Sequence, residues 1–417
     1  MYLSRPLRRQ LVVGLAALAL TAPTAIASPD LDLPPVFPPP ATWTGSWAVA
    51  VTPPGSTGLS ATGVTDTTLR QVAHLSVGGS SLRLRLSNVY GTKPLVISHV
   101  TVTPRADDFA GTPTVDPAKL VPVTFEGRAS ATIPVGTEWV SDPVKLAVPD
   151  DTDLVISTYL PGPTGPLTQH PAGYATAFRA AGDRSTDAGS SYEPVGQSRY
   201  IIEGVDVITR AKGSVVLFGD SITDGVVSPV DQNLRYPDQL ADRLLALPKN
   251  RVHGVLNAGI SGNRLLSNAG TAGDSALARF DRDVVAQTGV RSVVLLEGIN
   301  DIGNSRGATT PAELIAVHRQ FIQRARQAGL RVFGATLTPY EGAGYYTAEG
   351  EADRQALNQW IRTSGEYDGV VDFDQAVRDP EHPTRIRPAY DIGDKLHPNA
   401  EGFKAMALAF DLHALTR

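Results

Sequence analysis

The chain has 417 residues, a formal net charge of −5 and no cysteine. Without cysteine there are no disulfide bonds and no thiolate chemistry, so stability must come from apolar cores. The length and the 42% hydrophobic content are enough for about two domains. The acidic balance argues against nucleic acid or an anionic membrane as a partner. Beyond residue 27, no stretch is long and apolar enough to predict an integral membrane segment.

Residues 1–27 have the pattern of a signal peptide. The segment combines basic residues, an apolar run and a small-residue cleavage pattern, namely Arg5, Arg8, Arg9, 11–20 and 25–27. We therefore expect cleavage before Ser28 and a secreted, extracellular protein. The pair Arg8-Arg9 is compatible with twin-arginine export and with ordinary export, and both routes stay open. Residues 28–40 are proline-rich and predict an extended linker without a packed core.

Residues 41–208 predict an all-β accessory domain. Candidate strands are 81–87, 94–102 and 154–160, with glycine and proline turns between them. In 81–87, leucine alternates strictly with polar residues, which predicts one buried face and one face in water. Many short strands without a convincing helix favour a β-sandwich of jelly-roll-like type.

From residue 213 to residue 417, strands and helices alternate. The strand candidates are 215–218, 251–256, 292–297, 331–336 and 369–373, and the helix candidates are 236–247, 274–286, 311–328, 350–363 and 398–413. This alternation predicts an α/β domain with a mostly parallel sheet covered by helices on both faces. Ligands of such sheets bind beyond the carboxyl ends of the strands. The strand order does not follow from the sequence.

Four polar segments lie at predicted strand ends or before the last helix of this α/β domain: 219–221, 257–263, 297–301 and 394–398. Together they hold the residue types that acyl transfer needs. Ser221 is the candidate nucleophile and His397 the base that removes its proton. Asp394 is placed to orient His397. The backbone N–H groups of Ser221 and Gly262 and the side-chain amide of Asn300 are candidate donors of an oxyanion hole.

Each of these residues also has a structural interpretation. Ser221 followed by Asp224 fits a capping box, in which Ser221 is a helix N-cap. Asp391 lies three residues before Asp394 and is another acid near the same helix start. Gly262 fits a turn glycine, and Asn300 fits a helix cap.

The four segments resemble the blocks of the SGNH hydrolases, also called the GDSL esterase/lipase superfamily. Gly-Asp-Ser, the glycine block ending at Gly262, Gly-x-Asn-Asp and Asp-x-x-His occur in family order. The resemblance implies a three-layer, flavodoxin-like hydrolase domain and the site roles given above. Further motifs, at 42–47, 70–72, 86–88, 231–238 and 354–362, are similar to those of secreted two-domain bacterial members. Some members of that branch accompany xylan-degrading enzymes.

The resemblance implies a secreted serine ester hydrolase that forms an acyl-enzyme on Ser221, with acetyl groups on polysaccharide as the expected substrate. A lipase or lysophospholipase, an acyltransferase and a non-catalytic glycan-binding protein are the alternatives. No cofactor or metal is implied, since the histidines lack metal-ligand spacing and no nucleotide-binding glycine motif opens a helix. Asp372 and Asp374 end a strand, where they are candidates to hold a cation, although acids at such places usually face water. Trp43, Trp47 and Trp139 fit either sugar stacking or a core. The oligomeric state does not follow from the sequence.

Overall fold

The computed structural model describes residues 40–105, 109–305 and 308–417. The predicted signal peptide, and the predicted linker except Pro40, lie outside the described residues. Within the described ranges, no helix combines the length and the apolar character that crossing a bilayer requires.

The first half of the described chain consists mainly of antiparallel strands. They are β1 (Thr42–Ala48), β2 (Thr67–Leu75), β3 (Leu82–Ser87), β4 (Leu95–Ile97), β5 (His99–Pro104), β6 (Val121–Val123), β7 (Ala131–Ile133), β8 (Glu138–Val140), β9 (Thr152–Leu160), β10 (Gln169–His170), β11 (Ala177–Ala181), β12 (Glu193–Gly196), β13 (Arg199–Tyr200) and β14 (Ile202–Thr209). A short helix, α1 (Gly58–Thr62), and a 3-10 turn at Pro117–Lys119 interrupt them.

These strands form the predicted sandwich. One sheet has the order β1-β14-β3-β8 and the other the order β12-β11-β2-β9-β5-β6, while β10-β13 and β4-β7 form small pairs. A single apolar core contains residues from both large sheets, such as Leu84 and Val205 from the first and Leu69 and Ile156 from the second. Burial of the apolar faces of two sheets against each other is what holds a sandwich together.

The prediction that one face of β3 lies in water is wrong. Arg85 is buried and Arg83 is half-buried, because this face of the sheet packs against the second half of the chain. The Arg85 guanidinium donates to the carbonyl of Ala286, and that of Arg83 to the hydroxyl of Thr288. The alternation of β3 is real, but its polar face is an internal interface.

The predicted strand 94–102 is two strands. Leu95–Ile97 pairs with β7, whereas His99–Pro104 pairs with β9 and β6. The chain changes sheets at Ser98, whose N–H donates to the carbonyl of Tyr159. One apolar run therefore serves two sheets, and its periodicity does not reveal the break.

The second half contains a five-stranded parallel sheet: β15 (Ser214–Gly219), β16 (Gly254–Gly259), β17 (Val290–Leu296), β18 (Arg331–Ala335) and β19 (Gly369–Val371). Its order is β16-β15-β17-β18-β19. Numbered by appearance in this half, the order is 2-1-3-4-5, which defines a flavodoxin-like sheet. The strand predicted at 251–256 begins and ends three residues later, because a 3-10 turn occupies Lys249–Arg251.

The helices of this half are α2 (Ser221–Asp224), α3 (Tyr236–Leu245), α4 (Ala276–Phe280), α5 (Ile299–Ser305), α6 (Pro311–Gln327), α7 (Ala348–Thr363), α8 (Phe373–Val377), α9 (Ala400–Leu408) and α10 (Leu412–Leu415), with a π-helical turn at Asp281–Val285 and 3-10 turns at Gly270–Ala272 and Pro388–Tyr390. One group, α3, α8 and α9, packs together, and α4, α5, α6 and α7 form another. The sheet's apolar side chains, among them Val216, Phe218 and Leu295, share one core with both groups. This arrangement confirms the predicted three-layer α/β/α fold.

The change from antiparallel to parallel strands falls between Thr209 and Ser214, as predicted. The two halves have largely separate cores, yet residues Pro40–Arg417 form one compact unit. The division into domains at 41–208 and 213–417 therefore stays a prediction.

Candidate active site

Ser221 lies at the carboxyl end of the sheet's second strand in spatial order. β15 runs into Asp220, and Ser221 is the first residue of the four-residue helix α2. The N-cap is Asp220, whose carboxylate accepts a hydrogen bond from the Ile222 N–H at 2.9 Å. The interpretation of Ser221 as a helix cap is therefore wrong. As the first helical residue, Ser221 has a backbone N–H without an intrahelical acceptor.

His397 and Asp394 reach Ser221 from the loop before α9. His397 Nε2 is 2.9 Å from Ser221 Oγ, and His397 Nδ1 is 2.6 Å from Asp394 Oδ2. The other oxygen of Asp394 accepts the N–H groups of Leu396 and His397, at 3.0 and 2.9 Å. The three side chains thus form a continuous relay from carboxylate to imidazole to hydroxyl, which is the arrangement of a serine hydrolase triad.

Asp391 has a different task. Its carboxylate accepts the backbone N–H groups of Gly393 and Lys395 and pairs with the Lys395 ammonium at 2.7 Å. Lys395 has a φ of +66°, in the left-handed region that a side chain disfavours. Asp391 therefore stabilises the turn that carries Asp394 and His397, rather than orienting the imidazole itself.

Electrostatics favour a charged Asp394. Partial burial raises the pKa of its carboxyl, but the hydrogen bonds from the His397 ring and from the His397 and Leu396 N–H groups outweigh burial, and the net pKa lies below its usual range. A carboxylate this close to Nδ1 is suited to stabilising an imidazolium at His397. The side chain of Asp394 is 42% exposed, so water weakens this stabilisation.

The oxyanion-hole candidates other than Ser221 lie on segments that follow β16 and β17, the two strands that pair with β15. The loop 260–263, called the oxyanion loop below, follows β16, which pairs directly with the nucleophile strand β15. Gly262 has a φ of +79°, and its N–H has no backbone acceptor among the described residues. Asn300 is in the first turn of α5, and its amide donates to the carbonyl of Asn263 at 3.0 Å. That bond uses one amide hydrogen and leaves the second for a ligand. Asn300 therefore bridges to the loop and does not cap α5.

A buried polar network lies next to the turn at Asp220 and Ser221, called the nucleophile turn below. The guanidinium of Arg279, fully buried, donates to the carbonyls of Gly219 and Ala258 and pairs with Glu297 at 3.2 Å. Burial raises the pKa of Asp220 to about 7 and raises that of Glu297 well above its usual value. Among the described residues, one carboxylate oxygen of each acid lacks a hydrogen-bond partner. The network fixes the ends of β15 and β16, and thus the distance between the nucleophile turn and the oxyanion loop.

Sequence reasoning missed two contributors. Asp224 accepts hydrogen bonds from the N–H and the hydroxyl of Ser261, at 2.9 and 2.5 Å, so it holds the oxyanion loop. Tyr345 places its hydroxyl 3.5 Å from Asn300 Oδ1. The signal for Asp224 was its place in the nucleophile motif, which was interpreted as part of a capping box. No pattern in the sequence points to Tyr345.

The remaining candidate residues have structural contacts. Trp47 is buried in the sandwich core, Trp43 lies under the Arg83 guanidinium, and Trp139 lines a cavity of about 280 Å³. The expectation of a water-facing carboxylate is wrong for Asp374, whereas the Asp372 side chain is 29% exposed. Asp374 is 1% exposed, and arginines neutralise both acids: Arg362 binds Asp372 and Asp374, and Arg354 binds Asp374.

Comparison with known protein families indicates the class of enzyme to which residues 217–405 are similar. Residues 217–405 match the GDSL-like lipase/acylhydrolase family. No curated protein matches the chain in sequence. A putative lipolytic protein of the G-D-S-L family from Desulfitobacterium hafniense DCB-2 is similar to part of the chain, with 18% identity and a TM-score of 0.38, over 48% of this chain and 98% of that one.

Two further solved structures are similar over about half of this chain. A GDSL-like lipase from Bacteroides thetaiotaomicron VPI-5482 has 21% identity and a TM-score of 0.38, covering 48% of this chain and 87% of its own. A catalytic mutant of Axe2, an acetylxylan esterase from Geobacillus stearothermophilus, has 22% identity and a TM-score of 0.38, covering 49% of this chain and 95% of its own.

The protein is a carboxylic ester hydrolase. Residues 217–405 form a domain that matches the GDSL-like lipase/acylhydrolase family, which supports the SGNH superfamily that the four motifs indicate.

Proposed function

We propose that Ser221 is the nucleophile of this hydrolase, His397 its general base and acid, and Asp394 the group that orients and charges the imidazole. The observation that carries the proposal is the relay of two short contacts, 2.6 Å from Asp394 to His397 and 2.9 Å from His397 to Ser221. Because Nδ1 donates its hydrogen to Asp394, Nε2 is free to accept the hydroxyl proton of Ser221.

Acylation begins when Ser221 Oγ bonds to the ester carbonyl carbon and its proton passes to His397 Nε2. The carbonyl oxygen becomes an oxyanion, which the N–H groups of Ser221 and Gly262 and the free amide hydrogen of Asn300 stabilise. The intermediate collapses, the bond to the alcohol oxygen breaks, and His397 returns the proton to that oxygen. Water then attacks the acyl-enzyme, with His397 again taking the proton, and the acid leaves as Ser221 regains its hydrogen.

The substrate we propose is a short-chain ester, in particular acetyl groups on a polysaccharide, met outside the cell after export by residues 1–27. Three observations support this choice. The aromatic content is only 6%, the amino-acid sequence contains no obvious apolar lid segment, and the motifs at 42–47, 231–238 and 354–362 resemble the secreted two-domain branch. A polysaccharide acetyl group also suits a site whose Asp394 is open to solvent.

One observation favours longer acyl chains as a second candidate. The segment after the nucleophile helix exposes Val227, which is 58% accessible, and the segment after the oxyanion loop exposes Leu266, which is 41% accessible. Apolar side chains exposed beside both catalytic segments suit an acyl tail, as in a lipase or lysophospholipase.

The test compares turnover of p-nitrophenyl acetate, butyrate and palmitate by the wild type, Ser221→Ala and Ser228→Ala. Ser228 is a matched control because it is buried and its hydroxyl has no partner among the described residues. We expect highest kcat/KM on acetate, full activity in Ser228→Ala and none in Ser221→Ala, followed by acetate release from acetylated xylan. Preference for palmitate would reassign the enzyme as a lipase. Wild-type turnover by Ser221→Ala would refute the mechanism.

A further inference from the structure

We propose that the β-sandwich completes the active site through His170, a positioning residue that holds the oxyanion loop by way of Asp224. The proposal rests on the function proposed above, because it assigns a role in forming the oxyanion hole. It also gives the antiparallel half of the chain a catalytic task that does not require it to bind any glycan.

His170 ends the short strand β10 in the antiparallel half and points into the second half. Its side chain is 3% exposed and that of Asp224 is 1% exposed. His170 Nε2 lies 3.1 Å from Asp224 Oδ1, and His170 Nδ1 lies 2.8 Å from the carbonyl oxygen of Ala50. A buried imidazole is therefore fixed at both ring nitrogens, on one side by the sandwich backbone and on the other by the nucleophile helix.

Both partners of the ring, the Ala50 carbonyl and the Asp224 carboxylate, are hydrogen-bond acceptors, so each ring nitrogen needs a hydrogen between it and its partner. The carbonyl of Ala50 can only accept, so Nδ1 carries a hydrogen. A neutral ring would then present a bare lone pair to the Asp224 carboxylate, which is repulsive. A hydrogen bond between Nε2 and Oδ1 therefore requires a hydrogen on one of these two atoms.

Asp224 passes this constraint to the oxyanion loop. Its Oδ2 accepts the N–H and the hydroxyl of Ser261, the residue before Gly262. Its backbone N–H is bonded to the carbonyl of Asp220 within the nucleophile turn. A Cβ at Gly259 would lie 2.2 Å from the Asp224 nitrogen, so this contact requires glycine. One carboxylate thus links the nucleophile helix, the oxyanion loop and the sandwich.

A second connection reaches the same loop independently. The side-chain amide of Asn263 donates to the carbonyls of Ala272 and Asp274. The hydroxyl of Tyr90, from the antiparallel half, donates to the Asp274 carboxylate at 2.5 Å. Both ends of the oxyanion loop are therefore supported by side chains from the sandwich.

The expected consequence is kinetic. Without the His170 ring, the Asp224 carboxylate keeps only its hydrogen bonds from Ser261 and borders the space that the ring occupied. The carboxylate and the oxyanion loop can then shift together. Because an oxyanion donor acts at a fixed distance from the transition state, a displacement of about 1 Å lowers the rate steeply while leaving substrate binding nearly unchanged. The loss is expected in kcat and not in KM.

The test uses the full chain with His170→Ala, and with His74→Ala as the matched control. His74 is another histidine at the junction of the two halves, but its partners are Asp151, Asp153 and Asn233, away from the oxyanion loop. We expect His170→Ala to lower kcat on p-nitrophenyl acetate by about 10- to 100-fold with KM within threefold. It should also slow the labelling of Ser221 by an organophosphonate by a similar factor. His74→Ala should change kcat less than threefold.

Two additional variants make the test specific. In His170→Gln the side-chain amide can still donate to Asp224, so this variant should have a higher kcat than His170→Ala. It also serves as the test variant if His170→Ala does not fold. When Asp224→Asn is already present, adding His170→Ala should lower kcat by less than a further threefold. Both substitutions break the same His170–Asp224 contact, so their effects should not add.

Three results would overturn the positioning role while Ser221→Ala is inactive: wild-type kcat in His170→Ala, an equal loss in His74→Ala, or full additivity with Asp224→Asn. If Ser221→Ala itself turned over at the wild-type rate, the proposed function would fail and the role of His170 with it.

Discussion

Replacing Asp394 by asparagine tests how the relay works, because the structure predicts that this conservative change is worse than alanine. Asp394 Oδ1 accepts two backbone N–H groups, from Leu396 and His397. In Asp394→Asn the two N–H groups need an acceptor, so the amide oxygen takes the place of Oδ1. The amide N–H₂ then takes the place of Oδ2 and points at His397 Nδ1. The imidazole can accept that hydrogen only by moving its own proton to Nε2.

The magnitude follows from this tautomer. With Nε2 protonated, His397 cannot accept the hydroxyl proton of Ser221, and only the minor tautomer reacts. The same change in a buried triad lowers kcat by about 10⁴-fold. Because the side chain of Asp394 is 42% exposed, water competes for Nδ1, and we expect a smaller loss of about 10²- to 10³-fold. That loss corresponds to roughly 3–4 kcal/mol in activation free energy.

Asp394→Ala leaves Nδ1 to solvent, which can both donate and accept, so we expect a loss about tenfold smaller than that of Asp394→Asn. Asp391→Asn is the comparison for damage to the turn alone, since Asp391 stabilises that turn without contacting His397. The assay is kcat/KM for p-nitrophenyl acetate near pH 8, with circular dichroism as a check on folding. An Asp394→Asn enzyme within threefold of the wild type, or more active than Asp394→Ala, would refute the tautomer argument.

Three further predictions concern the oxyanion hole and the buried acid beside the nucleophile. Asn300→Ala should lower kcat on p-nitrophenyl acetate by about 10²- to 10³-fold with little change in KM; a loss below threefold would exclude the amide as a donor. Gly262→Ala and Gly329→Ala place a side chain at φ of +79° and +73°, so both should lower the melting temperature, but only Gly262→Ala should lower kcat, by about tenfold or more. Equal kcat in the two variants would contradict the role of Gly262. For Asp220, burial raises the folded-state pKa from 3.8 to about 7, so the unfolded state releases this proton first. The neutral acid therefore contributes to the free energy of unfolding in full below about pH 4. This contribution, about 4 kcal/mol, is lost as the pH rises from about 4 to about 7. In urea unfolding, the stability of Asp220→Asn relative to wild type should increase by about 3 kcal/mol from pH 4.5 to 8, because part of the effect already lies below pH 4.5. A constant difference would contradict it.

The sequence was sufficient to predict a candidate site because the information that the prediction needs is local. Ser221, Gly262 and Asn300 each follow a strand of a parallel sheet, and such strands end at one edge. Knowing the strand order was not necessary to predict that they meet. His397 and Asp394 are three residues apart, so their contact was also readable from spacing.

Most of what the sequence did not predict depends on contacts between distant segments, whereas the error at Ser221 is local. Arg85 on β3 alternates like a water-facing residue, but the second half of the chain covers it. His170 and Asp224 are 54 residues apart, in different halves, and no periodicity links them. Ser221 matched a capping box by spacing alone, yet Asp220 takes the cap because its carboxylate is already adjacent to the Ile222 N–H.

The most direct test of the central claim is to label the native protein with a fluorescent organophosphonate and map the modified peptide by mass spectrometry. The account predicts one equivalent of label, on Ser221, with no labelling of Ser221→Ala and labelling at least about 100-fold slower in His397→Ala. Stoichiometric label on another serine, or labelling of Ser221 at an unchanged rate without His397, would contradict it.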